Sequence, residues 1–264
     1  MDTALVAGAT LAGLAVGAAL DPIGQRLADR SRAEDERRQA ERAGSDPGAA
    51  GPEPPAPTAD QAAAPAAVRH LVPAGRSPAR HTAAAVATGL LFGAAAWRFG
   101  ADIITAPFCV FFAMLVTVSL TDLTHRLVPR HLLYGAMALV VPLLVATSAV
   151  DHRWHSLSGS AIAGLVAFGV FFAVWWFVPR GMGFGDVRLA AAIGVSVGYL
   201  SLLQAYVAFL AGFVIGLVFG LVVMVVSSTG RRTRIPFAPS LAAGAVLAVL
   251  WGGHVAHGLF HAGG

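Results

Sequence analysis

The sequence contains little charge and no lysine. Charged residues make up 12% of the 264 residues, all 18 basic residues are Arg, and the mean hydropathy is +0.70. A soluble domain carries about twice that charged fraction. With 56% hydrophobic residues, the chain has too little polar surface for a fold of this size in water. We therefore predict an integral membrane protein surrounded by lipid.

Cysteine is almost absent as well. The single Cys109 excludes an internal disulfide and a zinc site made of four cysteines. The pI of about 10.2 could suggest nucleic acid as a partner. The Arg residues are scattered among apolar segments, however, and form no patch interleaved with aromatic residues, so we expect no nucleic-acid binding.

Eight apolar stretches have the length of membrane helices, which predicts an all-α fold, a polytopic membrane bundle of about eight transmembrane helices. The first stretch has no basic segment before it, so we interpret it as a retained helix rather than a cleaved signal peptide. The predicted spans are 4–20, 82–97, 103–121, 131–150, 157–178, 187–200, 203–227 and 238–256.

The composition divides the chain into three regions. Residues 1–30 hold the first helix and its cytoplasmic extension, and residues 81–264 form the membrane-embedded core. Residues 31–80 between them are rich in Ala, Pro and Gly and cannot bury enough apolar area to offset their ordering entropy. We predict a mostly disordered cytoplasmic loop there. The charged portion, residues 24–42, could continue the first span as a solvated helix.

Arginine placement predicts the orientation. With 21–81 on the cytoplasmic side, the short segments 122–130, 179–186 and 228–237 and the adjoining helix ends are cytoplasmic too. They hold seven Arg, against two outside, Arg98 and Arg153. Cytoplasmic loops carry an excess of basic residues. The chain is therefore expected to be a multi-pass protein of the inner (cytoplasmic) membrane.

Acidic residues are scarce beyond the loop, where there is no Glu and only four Asp. The topology places Asp102 and Asp151 outside but Asp122 and Asp186 at cytoplasmic helix ends. Two carboxyl groups brought close share a proton, so one can activate water while the other polarises a carbonyl. Taken singly, Asp186 could be only a helix N-cap and Asp122 only an interfacial anchor. The pair predicts a cytoplasmic two-aspartate peptidase site.

Three contexts surround these acids. Gly183 and Gly185 in Gly-Phe-Gly-Asp free the backbone beside Asp186, which would let an extended substrate approach. After Asp122, Val128 is followed by Pro129, which restricts the backbone at the start of the next helix. The third is a stiff segment, Ile-Pro-Phe-Ala-Pro, with Pro236 and Pro239. It could form a wall of the site or simply a turn at the membrane surface.

These motifs, in this order, resemble the type IV prepilin peptidase family, the GxGD membrane aspartyl proteases. The similarity covers about 82–256, and the first span with its following Arg residues is similar too. The resemblance implies catalytic Asp122 and Asp186, with no metal and no cofactor. It implies cleavage of the basic leader of a type IV pilin-like precursor at the cytoplasmic face. The substrate could be a classical pilin, a small Flp-type (Tad) pilin or a secretion pseudopilin.

The chain departs from the family pattern at several positions. Arg188 stands where Lys is common, Arg130 follows Pro129 in place of an acidic or amide residue, and Ser240 replaces an aromatic residue. Bifunctional members carry a domain in the first cytoplasmic loop, often with paired CxxC motifs. Residues 31–80 hold no cysteine, so we expect peptidase activity without N-methyltransferase activity.

A second function also fits the sequence. The alternative is a non-enzymatic membrane protein, either a scaffold or a small transporter. In such a protein the two aspartates would lie far apart or would line a continuous path across the membrane. His254, His257 and His261 share a helical spacing and could bind a metal, although a wet interfacial tail explains them better. The sequence has no HExxH motif, which argues against a zinc protease.

Overall fold

The computed structural model describes residues 3–44, 78–125, 129–178, 183–226 and 237–261. These residues form eight α-helices and contain no strand, which confirms the predicted all-α fold. The helices are α1 (Thr3–Gly44), α2 (Pro78–Phe99), α3 (Thr105–His125), α4 (Arg130–Asp151), α5 (Trp154–Phe177), α6 (Phe184–Gly198), α7 (Leu202–Val226) and α8 (Ala238–His261).

Six of these helices, α1 to α5 and α7, are long and apolar enough to cross a membrane. Large apolar side chains cover the outside of the bundle, such as Leu165, 72% exposed, and Leu217, 64% exposed. An apolar surface of this extent is stable in lipid rather than in water. The helix α6 is shorter, with 15 residues. It is about 22 Å long, less than the hydrocarbon thickness of a bilayer.

Each predicted span coincides with one helix, with ends that differ by a few residues, except in α1. This helix continues to Gly44, so the predicted disordered loop does not begin at residue 31. The alternative prediction, that the charged portion 24–42 continues the first helix, agrees with the structure. The segment contains many Ala, Arg and Glu residues, which favour helix even in water. Residues 45–77 lie outside the described residues, and the loop stays a prediction there.

Small residues join three pairs of consecutive helices. A Cβ atom on Gly17 of α1 would lie 2.7 Å from the carbonyl oxygen of Ala84 in α2. A Cβ on Gly194 of α6 would lie 2.6 Å from the carbonyl oxygen of Ala163 in α5, and Gly244 of α8 is similarly close to α7. Glycine lets membrane helices approach until their backbones touch. The bundle is therefore built from the pairs α1–α2, α5–α6 and α7–α8 around α3 and α4.

The central helix is α3, which contacts α1, α2, α4 and α8. Its Phe108, Phe111 and Phe112 are at most 1% exposed, and Phe108 packs edge-on against Phe111. Successive helices reverse direction, so the last turn of α3 and the first turns of α4, α6 and α8 share one end of the bundle. This end carries both predicted catalytic aspartates.

Candidate active site

Asp122 lies in the last turn of α3 and is only 7% exposed. Its Oδ2 accepts a hydrogen bond from the backbone N–H of Ala238, at 3.3 Å. Ala238 is the first residue of α8, where backbone N–H groups have no partner inside the helix. The helix N-terminus also carries partial positive charge, which attracts the oxygen atoms of the carboxyl group. The structure thus gives Asp122 a donor from a distant part of the chain.

Two threonines precede Asp122 on the same helix. Thr117 donates to the carbonyl oxygen of Ala113 at 2.8 Å, and Thr121 donates to that of Thr117 at 3.0 Å. Both threonines are buried, and a Cβ on Gly24 of α1 would lie 2.6 Å from Thr117 Cγ2. The middle of α1, around Gly24, therefore covers the face of α3 that leads to Asp122.

Asp186 lies in the first turn of α6, outside the six candidate membrane spans. Its backbone N–H donates to the carbonyl oxygen of Gly183 at 3.0 Å, and its carboxyl group interacts with the Gly183 backbone in return. The Asp186 carboxyl group thus has the place of the acidic residue of a capping box, although Gly183 has no side chain for the other half. Burial raises the pKa of the Asp186 carboxyl to about 6, although the hydrogen bond from Gly183 acts in the opposite direction. Asp186 therefore keeps its proton to a higher pH than an ordinary aspartate.

The two glycines of the motif flank this first turn. Gly183 is the N-cap of α6 and has φ −79° and ψ 147°, values that any residue adopts. A Cβ there would lie 3.8 Å from Asp186 Oδ2, an ordinary contact. The fold itself therefore does not require glycine at 183. Access for a substrate backbone at Gly183 and Gly185 stays a prediction.

Pro129 is the N-cap of α4, with φ −64°, and its carbonyl oxygen accepts the backbone N–H of Leu133. Arg130 follows and forms an ion pair with Glu34 on the extension of α1. His131 lies 3.9 Å from the same carboxylate. The extension of α1 thus contacts the helix that begins directly after the Asp122 segment.

Within the proline segment, Ala238 is the residue seen to contact Asp122. Pro236 lies outside the described residues, whereas Pro239 is in the first turn of α8, next to Ala238. The ring of Phe237 packs on Phe213 of α7 with 5.5 Å between centroids. The start of α8 is therefore fixed on α7 while it donates to Asp122.

The two aspartate helices are linked through their neighbours, since α3 and α6 each contact α4 and α8. Arg188 lies one turn after Phe184 on α6, and its guanidinium lies over the ring of Tyr134, one turn into α4. The structure therefore brings Asp122 to Ala238 and places the first turn of α6 against the start of α4.

Sequence reasoning missed a buried charge cluster near the same end of the bundle. Asp21 of α1, with its side chain 1% exposed, accepts a hydrogen bond from Arg80 Nε at 2.9 Å and lies 3.0 Å from His81 Nδ1. Gln25 donates to the same carboxylate. The sequence did contain one indication of this cluster, because Asp21 is an acidic residue directly after the first apolar span. The cluster joins α1 to the first turn of α2.

Among the described side chains, no group of three or more His, Cys, Asp or Glu residues could hold a metal ion. The side chains of His254, His257 and His261 lie outside the described residues, so the interpretation of their spacing stays a prediction.

Comparison with known proteins identifies the region that carries both aspartates. The model of the type IV leader peptidase family matches residues 109–221, which include Asp122 and Asp186. This part of the chain is similar to that family. No solved structure matches it.

Three relatives named prepilin leader peptidase/N-methyltransferase illustrate the similarity. The protein of Bacillus subtilis is 34% identical over 175 residues, which cover 65% of this chain and 66% of that protein. The protein of Xanthomonas campestris is 28% identical over 65% of this chain and 58% of its own length. The protein of Pseudomonas aeruginosa is 28% identical over 67% and 60%. The matched region thus spans less than two thirds of these family members.

Proposed function

We propose that this protein is a membrane aspartic endopeptidase that cleaves the leader peptide of type IV pilin-like precursors. The observation that carries the proposal is the placement of Asp122 and Asp186. Both carboxyl groups lie at one end of the bundle, inside the region that matches the leader peptidase family. Asp122 receives the Ala238 N–H, and Asp186 has a raised pKa. These are different environments, as a pair with one ionised and one protonated member needs.

The proposed reaction assigns one role to each aspartate. The Asp122 carboxylate takes a proton from water, and the water oxygen attacks the scissile carbonyl carbon. Protonated Asp186 gives its proton to the carbonyl oxygen, which forms a gem-diol. The C–N bond then breaks as Asp122 returns its proton to the leaving nitrogen, and Asp186 takes a proton from a gem-diol hydroxyl. Both carboxyl groups end in their starting states, and the chain needs no metal for these steps.

The proposed active site faces the cytoplasm from the inner membrane. The described end of the bundle that carries both aspartates also carries Arg130 and Arg188, whereas Arg98 ends α2 at the opposite end. This distribution agrees with the excess of basic residues on cytoplasmic loops. A basic leader peptide would remain on that side, while the apolar helix that follows it would lie in lipid beside the bundle.

The substrate is proposed to be a pilin-like precursor, with a small Flp-type pilin as one candidate, and the protein is proposed to lack N-methyltransferase activity. The related proteins carry both activities in their names. The first cytoplasmic loop of this chain contains no cysteine, and the matched region covers 66% of the Bacillus subtilis protein.

Co-expression with candidate precursors tests the proposal. A classical type IV pilin, a Flp-type pilin and a pseudopilin are each expressed with the wild-type protein or with an Asp122→Asn/Asp186→Asn variant. The mass of the pilin N-terminus is then measured. We expect loss of the leader from at least one precursor with the wild type only, and no added methyl group. An intact leader on all three, or equal cleavage by the variant, contradicts the peptidase assignment, and a methylated product contradicts the second part.

A further inference from the structure

The guanidinium of Arg188 lies over two aromatic rings close to Asp186. One ring is that of Phe184 on the same helix, and the other is that of Tyr134 on α4. Its Cζ lies 4.5 Å from the ring centroid of Phe184 and 5.7 Å from that of Tyr134. Phe184 in turn packs edge-on against Trp175 of α5, with 5.1 Å between centroids. We call Tyr134, Arg188, Phe184 and Trp175 the aromatic–arginine stack. It connects α4, α6 and α5.

The stack and Asp186 occupy the same two turns of α6. Phe184 and Arg188 are four residues apart, so their side chains lie on one face of the helix. Asp186 lies between them in sequence and is directed to another face, back towards Gly183. The packing of this first turn against Tyr134 of α4 and Trp175 of α5 therefore determines the direction of the Asp186 carboxyl group.

An arginine in this place has no ion-pair role among the described residues. No acidic side chain is within salt-bridge distance of Arg188 there, and its buried Nε has no hydrogen-bond partner. A charged group held near the membrane without such a partner is unfavourable. Stacking on aromatic faces recovers part of that free energy, and a planar guanidinium stacks well.

We propose that Arg188 is a positioning residue for Asp186, acting through the aromatic–arginine stack rather than through its charge on the carboxyl group. This inference rests on the proposed peptidase function. A shift of a reacting group by about 1 Å can lower a rate by about a hundredfold. Loosening the first turn of α6 should therefore lower kcat while substrate binding elsewhere keeps KM nearly constant.

The test compares purified Arg188→Met, Arg188→Lys, Tyr134→Phe and Tyr134→Leu with the wild type, using kcat per folded molecule, KM and hydrogen exchange. Arg188→Met keeps the aliphatic stem but loses the stacking cation. We expect a fall in kcat of about tenfold or more, with KM within twofold and faster amide exchange in residues 184–190. Tyr134→Phe should stay near the wild type, and Tyr134→Leu should resemble Arg188→Met. Arg188→Lys keeps the charge but not the planar guanidinium, so its kcat should fall between those of the wild type and Arg188→Met.

The matched control is Arg98→Met. Arg98 also lies over a ring, that of Phe99 at 5.4 Å, and its Nε is likewise buried without a hydrogen-bond partner. It ends α2, at the opposite end of the bundle from Asp186, so kcat should not change. Unchanged exchange in residues 184–190 of Arg188→Met overturns the inference, even without an active substrate. A wild-type kcat in Arg188→Met also overturns the inference, as long as Asp186→Asn is inactive and Asp186 is therefore needed for the reaction. Cleavage by Asp186→Asn overturns the proposed function instead.

Discussion

The backbone N–H of Ala238 donates to the carboxylate of Asp122 across a sequence separation of 116 residues. This bond joins the end of the central helix α3 to the start of α8, and both residues are buried. A buried carboxylate without a donor is costly. The first free N–H of α8 supplies that donor and at the same time fixes where the carboxylate lies.

Replacing Ala238 by proline removes this donor. Proline is tolerated at the first position of a helix, so α8 should still form. A hydrogen bond to a charged group contributes about 1.5–3 kcal/mol. Because the bond is long, we expect the lower part of that range, a fall in precursor cleavage of about tenfold.

The control is Ala238→Ser, which keeps the N–H and nearly the same volume. It should cleave at close to the wild-type rate. If Ala238→Pro is folded and as active as Ala238→Ser, the bond has no role in the reaction.

The Asp21–Arg80 pair should stabilise the contact between α1 and α2. Arg80→Met leaves the Asp21 carboxylate buried with only part of its partners, and breaking a buried pair costs about 3–5 kcal/mol. We expect a clearly lower melting temperature in detergent, measured by loss of the monodisperse peak on heating.

The double variant Asp21→Asn/Arg80→Met removes both charges and should recover a large part of the loss. An additive loss in the double variant would show that the two side chains stabilise the fold independently of each other.

Two glycines on α5 provide a matched pair for the packing of α5 on α6. A Cβ on Gly164 would lie 2.5 Å from Val195 Cγ2, whereas nothing lies within 4 Å of such an atom on Gly169. Gly164→Leu should therefore separate the helices and destabilise the protein by about 1–3 kcal/mol or more. Gly169→Leu adds an apolar side chain to the outer surface and should leave the melting temperature nearly unchanged. Equal melting temperatures for the two variants would contradict this packing.

The contact between Glu34 and Arg130 can be tested by cross-linking. In a Cys109→Ser background, Glu34→Cys and Arg130→Cys should be joined by a short bis-maleimide in intact membranes. The control pair uses Ala33→Cys with Arg130→Cys. Ala33 is an exposed neighbour of Glu34 on the same helix but does not share its face, so this pair should react much less. Equal yields for both pairs would mean that the extension of α1 does not dock on the start of α4.

The sequence predicted the helices and the end of the bundle that carries each aspartate, because apolar runs and arginine placement depend on local composition. The extent of α1 was predicted less well. Its charged residues indicate a soluble segment, but they are also good helix formers, and Leu27 and Ala28 pack against the bundle.

The partners of the site residues could not be predicted. The bond from Ala238 to Asp122 and the pairing of Asp21 with Arg80 each join distant parts of the chain, and no local pattern encodes such a contact. Asp186 and Gly183 are different, because a carboxylate three residues after a helix N-cap is a local signal. Only part of the aromatic–arginine stack could be predicted from the sequence. The spacing of Phe184 and Arg188 indicates that they share a helix face, but nothing local indicates the contact with Tyr134.

The most direct measurement is the rate at which purified protein in lipid vesicles cleaves a leader-bearing pilin precursor. Wild type, Asp122→Asn and Asp186→Asn are compared, with Asp151→Asn, an exposed aspartate at the end of α4, as the control. The account predicts full activity for the wild type and Asp151→Asn, and loss of at least about a thousandfold for each of the other two, since each removes one half of the acid–base pair. Cleavage at the wild-type rate by folded Asp122→Asn or Asp186→Asn would contradict it.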